Sequence, residues 1–381
     1  MRGRAAAQAY HFIEIIMSES NKRIHVAITL GDVNGIGCEV VLKALTDQHI
    51  TEICTPVIYG SGKVLAFYRK MLNVQNFNSV QIRETDDIVE RKVNIVSCMP
   101  EDLKVEPGQS SDAAGKAAVK SLEAAVTALK EGRVDVVVTA PVNKHTMQGP
   151  DFAFPGQTEF FQQAFGAEES LMFMVGPTLK IGTVTGHMPL KDVPAAVTEE
   201  RIIAKLEVMQ RSLQQDFTVL RPKIAVLALN PHAGEDGLLG DEESRIIAPA
   251  IAAAYAKGIA AFGPFPADGF FASDQFLHFD AVLAMYHDQA MLPFKVMNYA
   301  AGVNFTAGLP VVRTSPAHGT AYGLAGKDEA SCQSFKDALY AACDIYRRRT
   351  AHAACAAHAL KDTHAPKKAM EEKDTQQTQN Q

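Results

Sequence analysis

The chain has 381 residues, enough for two ordinary domains and a sizeable core. Apolar residues make up 47% and charged residues 21%; the net charge is -6, with no long basic run outside the termini, which argues against nucleic-acid binding as the main function. No stretch is long and apolar enough to span a membrane, and the six cysteines form no C-x-x-C pair, so they read as reduced thiols of a cytoplasmic protein.

Residues 1–22 read as an N-terminal extension. Arg2 and Arg4 precede a mildly apolar segment that His11 and Glu14 interrupt, with no good cleavage site after it. A signal peptide is therefore not expected, and Met17 is an alternative start. Ile24 to Leu30 reads as the first strand, and the turn Gly31-Asp32-Val33-Asn34-Gly35-Ile36-Gly37 leads to a helix from Glu39 to Leu45. A second strand, Val57 to Tyr59, is followed by a helix from Lys63 to Met71, and Val93 to Val96 forms a short strand. Ser110 or Ser111 can cap a long alanine-rich helix that ends near Lys130. The β-branched run Val134 to Val138 is a strand.

Further along come a helix from Glu199 to Leu213, a strand from Ile224 to Ala228, and a helix from Glu242 to Tyr255. A strand from Ala281 to Met285 and a helix from Cys332 to Tyr346 close the series. Strands and helices alternate, which predicts an α/β fold with largely parallel sheets. The expected organisation is two α/β domains with a cleft between them. Residues 23–142 and 306–360 build the first, and 143–305 the second. The polar segment 361–381 has too few apolar residues to fold and is expected to be disordered.

Three segments each set one histidine in a polar, glycine-containing or acidic turn. They are Thr185-Gly186-His187-Met188-Pro189, Asn230-Pro231-His232-Ala233-Gly234-Glu235 and Met285-Tyr286-His287-Asp288-Gln289. At least two follow apolar runs that read as buried strands, and ligands in α/β proteins sit at strand ends. Neutral imidazoles bind zinc and similar ions, and three leave a metal with open positions. Taken singly, each histidine reads as a structural residue or a helix cap sooner than as a ligand; the threefold repetition favours a metal site assembled by the fold.

Other positions carry two readings each. Lys144, after the strand, is a phosphate contact or proton carrier, or else a solvated surface lysine. Gln157 and Thr158 precede a short amphipathic helix and can bond a substrate, or Thr158 merely caps the helix. Lys295, Asn304 and Arg313 are polar positions in a largely apolar region, and two cations there suit a phosphorylated, carboxylated substrate. Gly35-Ile36-Gly37 is an anion-binding turn or one shaped by backbone needs alone. Tyr59-Gly60-Ser61-Gly62-Lys63 has two glycines of a dinucleotide fingerprint but lacks the third, and reads as a tight strand–helix turn.

Together these segments resemble the 4-hydroxythreonine-4-phosphate dehydrogenase family of pyridoxal phosphate synthesis. The matching pieces include the Gly31–Gly37 turn, Thr139-Ala140-Pro141-Val142-Asn143-Lys144, Gly156-Gln157-Thr158-Glu159-Phe160 and His187-Met188-Pro189-Leu190-Lys191-Asp192. They continue through Asn230-Pro231-His232-Ala233-Gly234-Glu235, Gly263-Pro264-Phe265-Pro266, Met285-Tyr286-His287-Asp288-Gln289 and Asn304 to Ala317-His318-Gly319-Thr320-Ala321, in the family's order.

The resemblance implies a two-domain fold like that of isocitrate and isopropylmalate dehydrogenases, and a homodimer with a shared active site. It implies that His187, His232 and His287 ligate one divalent ion (Zn, Mg or Co), at least one of them from the partner subunit. Gln157, Thr158, Lys295, Asn304 and Arg313 fall at substrate positions. His318, Gly319 and Thr320 fall in a loop similar to one that contacts the adenine end of NAD in some decarboxylating dehydrogenases. Lys144 is the candidate catalytic proton carrier. The implied reaction is NAD- (or NADP-) dependent oxidation of 4-phosphooxy-L-threonine to a β-keto acid that decarboxylates to 3-amino-2-oxopropyl phosphate. The family usually has histidine at Gln157 and aspartate at Ala317. These departures keep open a related dehydrogenase acting on 4-phospho-threonate or 4-phospho-erythronate, and a catalytically silent anion-binding paralogue.

Overall fold

The computed structural model describes residues 23–298 and 301–357. The expected N-terminal extension, 1–22, and the expected tail, 361–381, lie outside the described residues. Among the described residues twelve strands form one sheet. They are β1 (Ile24–Thr29), β2 (Cys54–Gly60), β3 (Ser79–Ile82), β4 (Val93–Ser97), β5 (Val136–Thr139) and β6 (Leu171–Val175). The others are β7 (Lys180–Thr183), β8 (Lys223–Leu227), β9 (Ala260–Phe265), β10 (Ala281–Ala284), β11 (Val303–Ala307) and β12 (Val312–Pro316). Their order across the sheet is β3-β4-β2-β1-β5-β12-β11-β6-β7-β10-β8-β9.

The principal helices are α1 (Gly37–Leu45), α2 (Gly62–Met71), α3 (Asp112–Lys130), α4 (Lys144–Met147) and α5 (Gln157–Ala164). They continue with α6 (Glu199–Gln215), α7 (Ala248–Ala256), α8 (His287–Met297) and α9 (Gln333–Ala357). The alternation of strand and helix is thus realised as an α/β fold. Both flanks of the sheet are parallel, as that alternation predicts. The centre is not: β11 runs antiparallel to β12 and to β6, and β6 antiparallel to β7. The connections explain this. Only Gly308 to Val311 separates β11 from β12, and Gly176 to Leu179 separates β6 from β7. Such short links allow a hairpin but not the crossover that a parallel pair needs.

The run Val136-Val137-Val138 shows why the strand at this place is unambiguous. Val136 and Val138 enter one core with Val26, Ile28 and Phe335, while Val137 enters the opposite core with Leu122 and Val126 of α3. A strand buried on both faces reads as a continuous β-branched run. Ser111 caps α3, its Oγ accepting from the Ala114 N–H at 3.3 Å. The final helix continues to Ala357, well past Tyr346, because its alanine-rich extension favours helix throughout. The helix expected from Glu242 begins instead with a π-turn, Glu243–Ile247, before α7.

Candidate active site

Register builds the floor of one cavity from a single face of the sheet centre. Arg313 of β12 pairs with Val137 of β5, Asn304 of β11 pairs with Ser315 of β12 and with Met174 of β6, and Thr306 pairs with Met172. Partner residues on neighbouring strands share a face, as do residues two apart along a strand. Thr139, Thr306, Arg313, Asn304, Ser315, Met172 and Met174 therefore point the same way. Above them lies a cavity of about 470 Å³, walled by α5, α8, the Lys144 turn and the loops carrying His187 and His318.

Arg313 is buried in this floor. Its Nε and Nη2 donate to the Thr139 hydroxyl at 3.2 and 2.7 Å, and its Nη1 donates to the Thr306 hydroxyl at 3.1 Å. Nη2 also donates to the Gln157 amide oxygen at 3.0 Å. No carboxylate forms an ion pair with it among the described residues. Burial pushes its pKa down to about 10, opposed by the more distant Glu159 charge, so the guanidinium stays protonated at neutral pH. A buried cation without a counter-ion is costly, and an anionic ligand relieves that cost.

The other expected substrate residues also line the cavity: Gln157, Thr158, Lys295 and Asn304. Thr158 is not the cap of α5; that position is Gly156, without a side-chain bond. The Gln157 amide is turned toward protein groups, Arg313 on one side and the Ala140 carbonyl at 3.5 Å on the other. The Asn304 Oδ1 is buried without a hydrogen-bond partner, an acceptor left open for a ligand donor. Lys295 is exposed on α8 and has no carboxylate partner among the described residues.

His187 follows β7 and His287 opens α8 after the adjacent β10. Their rings lie 4.9 Å apart between centroids, both on the cavity wall. His287 Nδ1 lies 2.7 Å from the Asp288 carboxylate. In a neutral ring that bond puts the proton on Nδ1 and leaves the Nε2 lone pair free, the arrangement that orients a metal-binding imidazole. Crowding by protein lowers the His187 pKa, helped by the Lys144 and His287 charges and opposed by Glu159, which favours its neutral, ligating form. The donor set suits a divalent ion.

His232 is not brought to this pair. It does not line the cavity, its side chain is 69% exposed, and no cluster of three potential ligands forms among the described residues. It sits on a left-handed turn in which His232, Ala233, Gly234, Glu235 and Asp236 all have positive φ. Non-glycine residues in that region are strained and persist only when their surroundings impose it. Glu243 anchors the entry to this turn: its Oε1 accepts from the Leu229 and Asn230 N–H groups at 2.8 and 2.7 Å, and its Oε2 from the Asn230 amide at 3.0 Å. The turn thus projects His232 outward.

Lys144 opens α4 at the edge of the cavity. Packing of protein around its amine lowers its pKa, opposed by Glu159. His318 and Gly319 line the same cavity. The His318 Nδ1 lies 3.1 Å from the Gly319 carbonyl, which fixes the proton there, and its buried Nε2 has no partner. Burial lowers its pKa against that bond. Thr320 faces the other way: its carbonyl accepts from the Ile36 N–H at 2.9 Å. A Cβ on Gly35 would fall 2.8 Å from that same carbonyl. The Gly35-Ile36-Gly37 turn is therefore shaped by its contact with the His318 loop, and its Gly35 and Ile36 N–H groups are committed to protein. The glycines at 60 and 62 end β2 and open α2, with Ser61 as cap, as a tight turn requires.

Sequence reading alone did not single out Thr139 and Thr306 under Arg313, or Glu159, Arg201 and Lys205 on the cavity wall. Lys205 is paired with Glu169 at 2.6 Å, whereas the Arg201 guanidinium donates to the Ala196 carbonyl and has no carboxylate partner among the described residues.

Residues 52–342 match the family described as pyridoxal phosphate biosynthetic protein PdxA. A 4-hydroxythreonine-4-phosphate dehydrogenase of Bacteroides thetaiotaomicron is 49% identical over 333 residues, covering 87% of this chain and 91% of that one. A protein of Oceanobacillus iheyensis, provisionally named D-threonate 4-phosphate dehydrogenase, is 36% identical over 85% of this chain and 98% of its own. The crystal structure of a 4-hydroxythreonine-4-phosphate dehydrogenase from Klebsiella pneumoniae shares the fold with a TM-score of 0.73. It is 33% identical and covers 85% of this chain and 98% of that one. The family match and the near-full-length relatives agree: the chain belongs to the pyridoxal phosphate biosynthetic protein PdxA family.

Proposed function

We propose that this chain oxidises 4-phosphooxy-L-threonine, with NAD or NADP and a divalent ion, to a β-keto acid that loses carbon dioxide to give 3-amino-2-oxopropyl phosphate. The observation that carries this reading is the pairing, in one cavity, of a buried uncompensated Arg313 with the adjacent imidazoles of His187 and His287. One end can hold an anionic substrate and the other a metal, which is what oxidation of a phosphorylated hydroxy acid needs. Relatives named 4-hydroxythreonine-4-phosphate dehydrogenase support it. Formation of reduced nicotinamide from that substrate tests it. A second reading, oxidation of 4-phospho-threonate, is favoured by the Oceanobacillus relative's name.

In this reading Arg313 and Lys295 hold the phosphate and carboxylate, and Thr158 and Asn304 orient the polar backbone of the substrate. The open Asn304 acceptor suits an ammonium or hydroxyl donor. His187 and His287 hold the ion from one subunit, and His318 with Gly319 borders the cofactor, while Thr320 supports that loop from behind. When bound, the ion supplies Lewis acidity and the nicotinamide accepts the hydride. Lys144, as the neutral amine, takes the proton of the substrate hydroxyl. Its lowered pKa makes that form available at a lower pH than for a free lysine. The two-domain division is part of the same reading: 23–142 with 306–360 supply one end of the strand order, 143–305 the other, with the boundary inside β11.

Lys144→Arg keeps the positive charge but does not give up its proton. It is expected to lower kcat on the order of 10²–10⁴-fold, change KM little, and remove the acid limb of the pH profile, along which activity rises as Lys144 deprotonates. A variant with the wild-type profile would take this role away from Lys144.

His232 reaches the ion from a second copy. Large apolar side chains are exposed on the segments this requires: Leu238 and Leu239 after His232, and Leu292 and Val296 on α8. Mixing His232→Ala protein with His187→Ala protein is then expected to restore about a quarter of wild-type activity. Half the dimers are hybrids, and one of their two sites is complete. Inactive mixtures in which hybrid dimers are shown to form would rule out a shared site.

A further inference from the structure

We propose that Gln157 is a positioning residue for Arg313 rather than a group that touches the substrate. The inference rests on the reading of Arg313 as an anion-binding residue. A guanidinium has five N–H donors. The Nε donor and one Nη2 donor go to Thr139, the second Nη2 donor to Gln157, and one Nη1 donor to Thr306. One Nη1 donor remains, on a residue that lines the cavity.

All three acceptors are neutral. Phe161 adds an aromatic face 5.9 Å from the guanidinium centre. The cage therefore fixes the orientation of the cation without neutralising it. Gln157 is the member that comes from outside the sheet, from the first turn of α5, and it is buried. Its amide orientation follows from chemistry: Arg313 offers only donors, so the oxygen faces it, and the nitrogen then faces the Ala140 carbonyl. With both ends engaged by protein, Gln157 acts on the substrate through Arg313.

Side-chain identity at 157 then controls the charge seen by the ligand. Glutamate would keep the acceptor but cancel the cation. Leucine would remove the acceptor and leave a donor of Arg313 free to swing. Histidine accepts from Arg313 only through an unprotonated nitrogen, so it would tie the cage to pH, whereas glutamine does not titrate.

The test compares wild type with Gln157→Leu and Gln157→Glu by two readouts. The first is nitrogen-15 NMR of the Arg313 side chain in the ligand-free protein, assigned with Arg313→Lys. Slow rotation of its Nη groups is expected in wild type and in Gln157→Glu, and fast rotation in Gln157→Leu. The second is steady-state kinetics with 4-phosphooxy-L-threonine. Gln157→Leu is expected to raise KM about tenfold and Gln157→Glu about a hundredfold, with the smaller part of each loss in kcat. Gln157→Met replaces the leucine variant if thermal unfolding shows that the latter does not fold.

Unchanged Arg313 signals in the leucine or methionine variant would overturn the proposal, as would a wild-type KM in Gln157→Glu. If wild type does not turn over this substrate, the functional reading fails, and the NMR comparison alone still decides whether Gln157 positions Arg313.

Discussion

Replacing Arg313 by methionine is expected to lower kcat/KM on the order of 10²–10⁴-fold. On the proposed reading the variant loses a charge-assisted contact to the substrate anion, worth about 1.5–3 kcal/mol. It also strands the acceptors that the guanidinium now satisfies, the hydroxyls of Thr139 and Thr306 and the amide oxygen of Gln157. Arg313→Lys is expected to recover little of this. An ammonium has no planar fork and cannot span Thr139 and Thr306 on opposite sides while also meeting Gln157. Steady-state kinetics, with thermal unfolding as the control for folding, measures both. A fall of tenfold or less in the methionine variant would mean that the substrate anion is held elsewhere.

His287→Ala is expected to lower kcat/KM by more than about 10³-fold and to abolish binding of a stoichiometric divalent ion, measured as metal content after dialysis. His187→Ala is expected to do the same, because the two rings face each other across the cavity wall. Asp288→Asn should be milder. The side chain at 288 orients the His287 ring through Nδ1 without being a ligand itself, and loss of such support costs about 10–100-fold in metal affinity. Full metal content in either alanine variant would remove that histidine from the ion's coordination.

The strands that were legible in the sequence are those with continuous β-branched or apolar runs, such as Val136–Val138 and Ala281–Ala284. The central hairpins were not. Leu171–Val175 is a short apolar run of leucine, methionine and phenylalanine that fits strand or helix equally, and Lys180–Thr183 carries a glycine and a charge. Yet these strands, with β11, complete the floor of the site. The polar positions Lys295, Asn304 and Arg313 stood out because they interrupt apolar surroundings, and all three line the cavity.

Thr139 and Thr306 gave no signal, since threonine in a strand reads as ordinary β-propensity. Their role comes from register: β5, far away in sequence, sets Thr139 on one side of Arg313, and the β11–β12 hairpin sets Thr306 on the other. His232 was visible as a polar turn. The left-handed backbone that turns it away from His187 and His287 was not, because four of its six positive-φ residues are not glycine.

The most direct test offers wild-type protein, with NAD or NADP and zinc, magnesium or cobalt, three substrates under identical conditions: 4-phosphooxy-L-threonine, 4-phospho-threonate and 4-phospho-erythronate. Formation of reduced nicotinamide and release of carbon dioxide are followed together. The predicted result is preferred turnover of the amino acid, dependent on added divalent ion, with one carbon dioxide released per nicotinamide reduced. Preferred turnover of either hydroxy acid, or no turnover of any of the three, would contradict it.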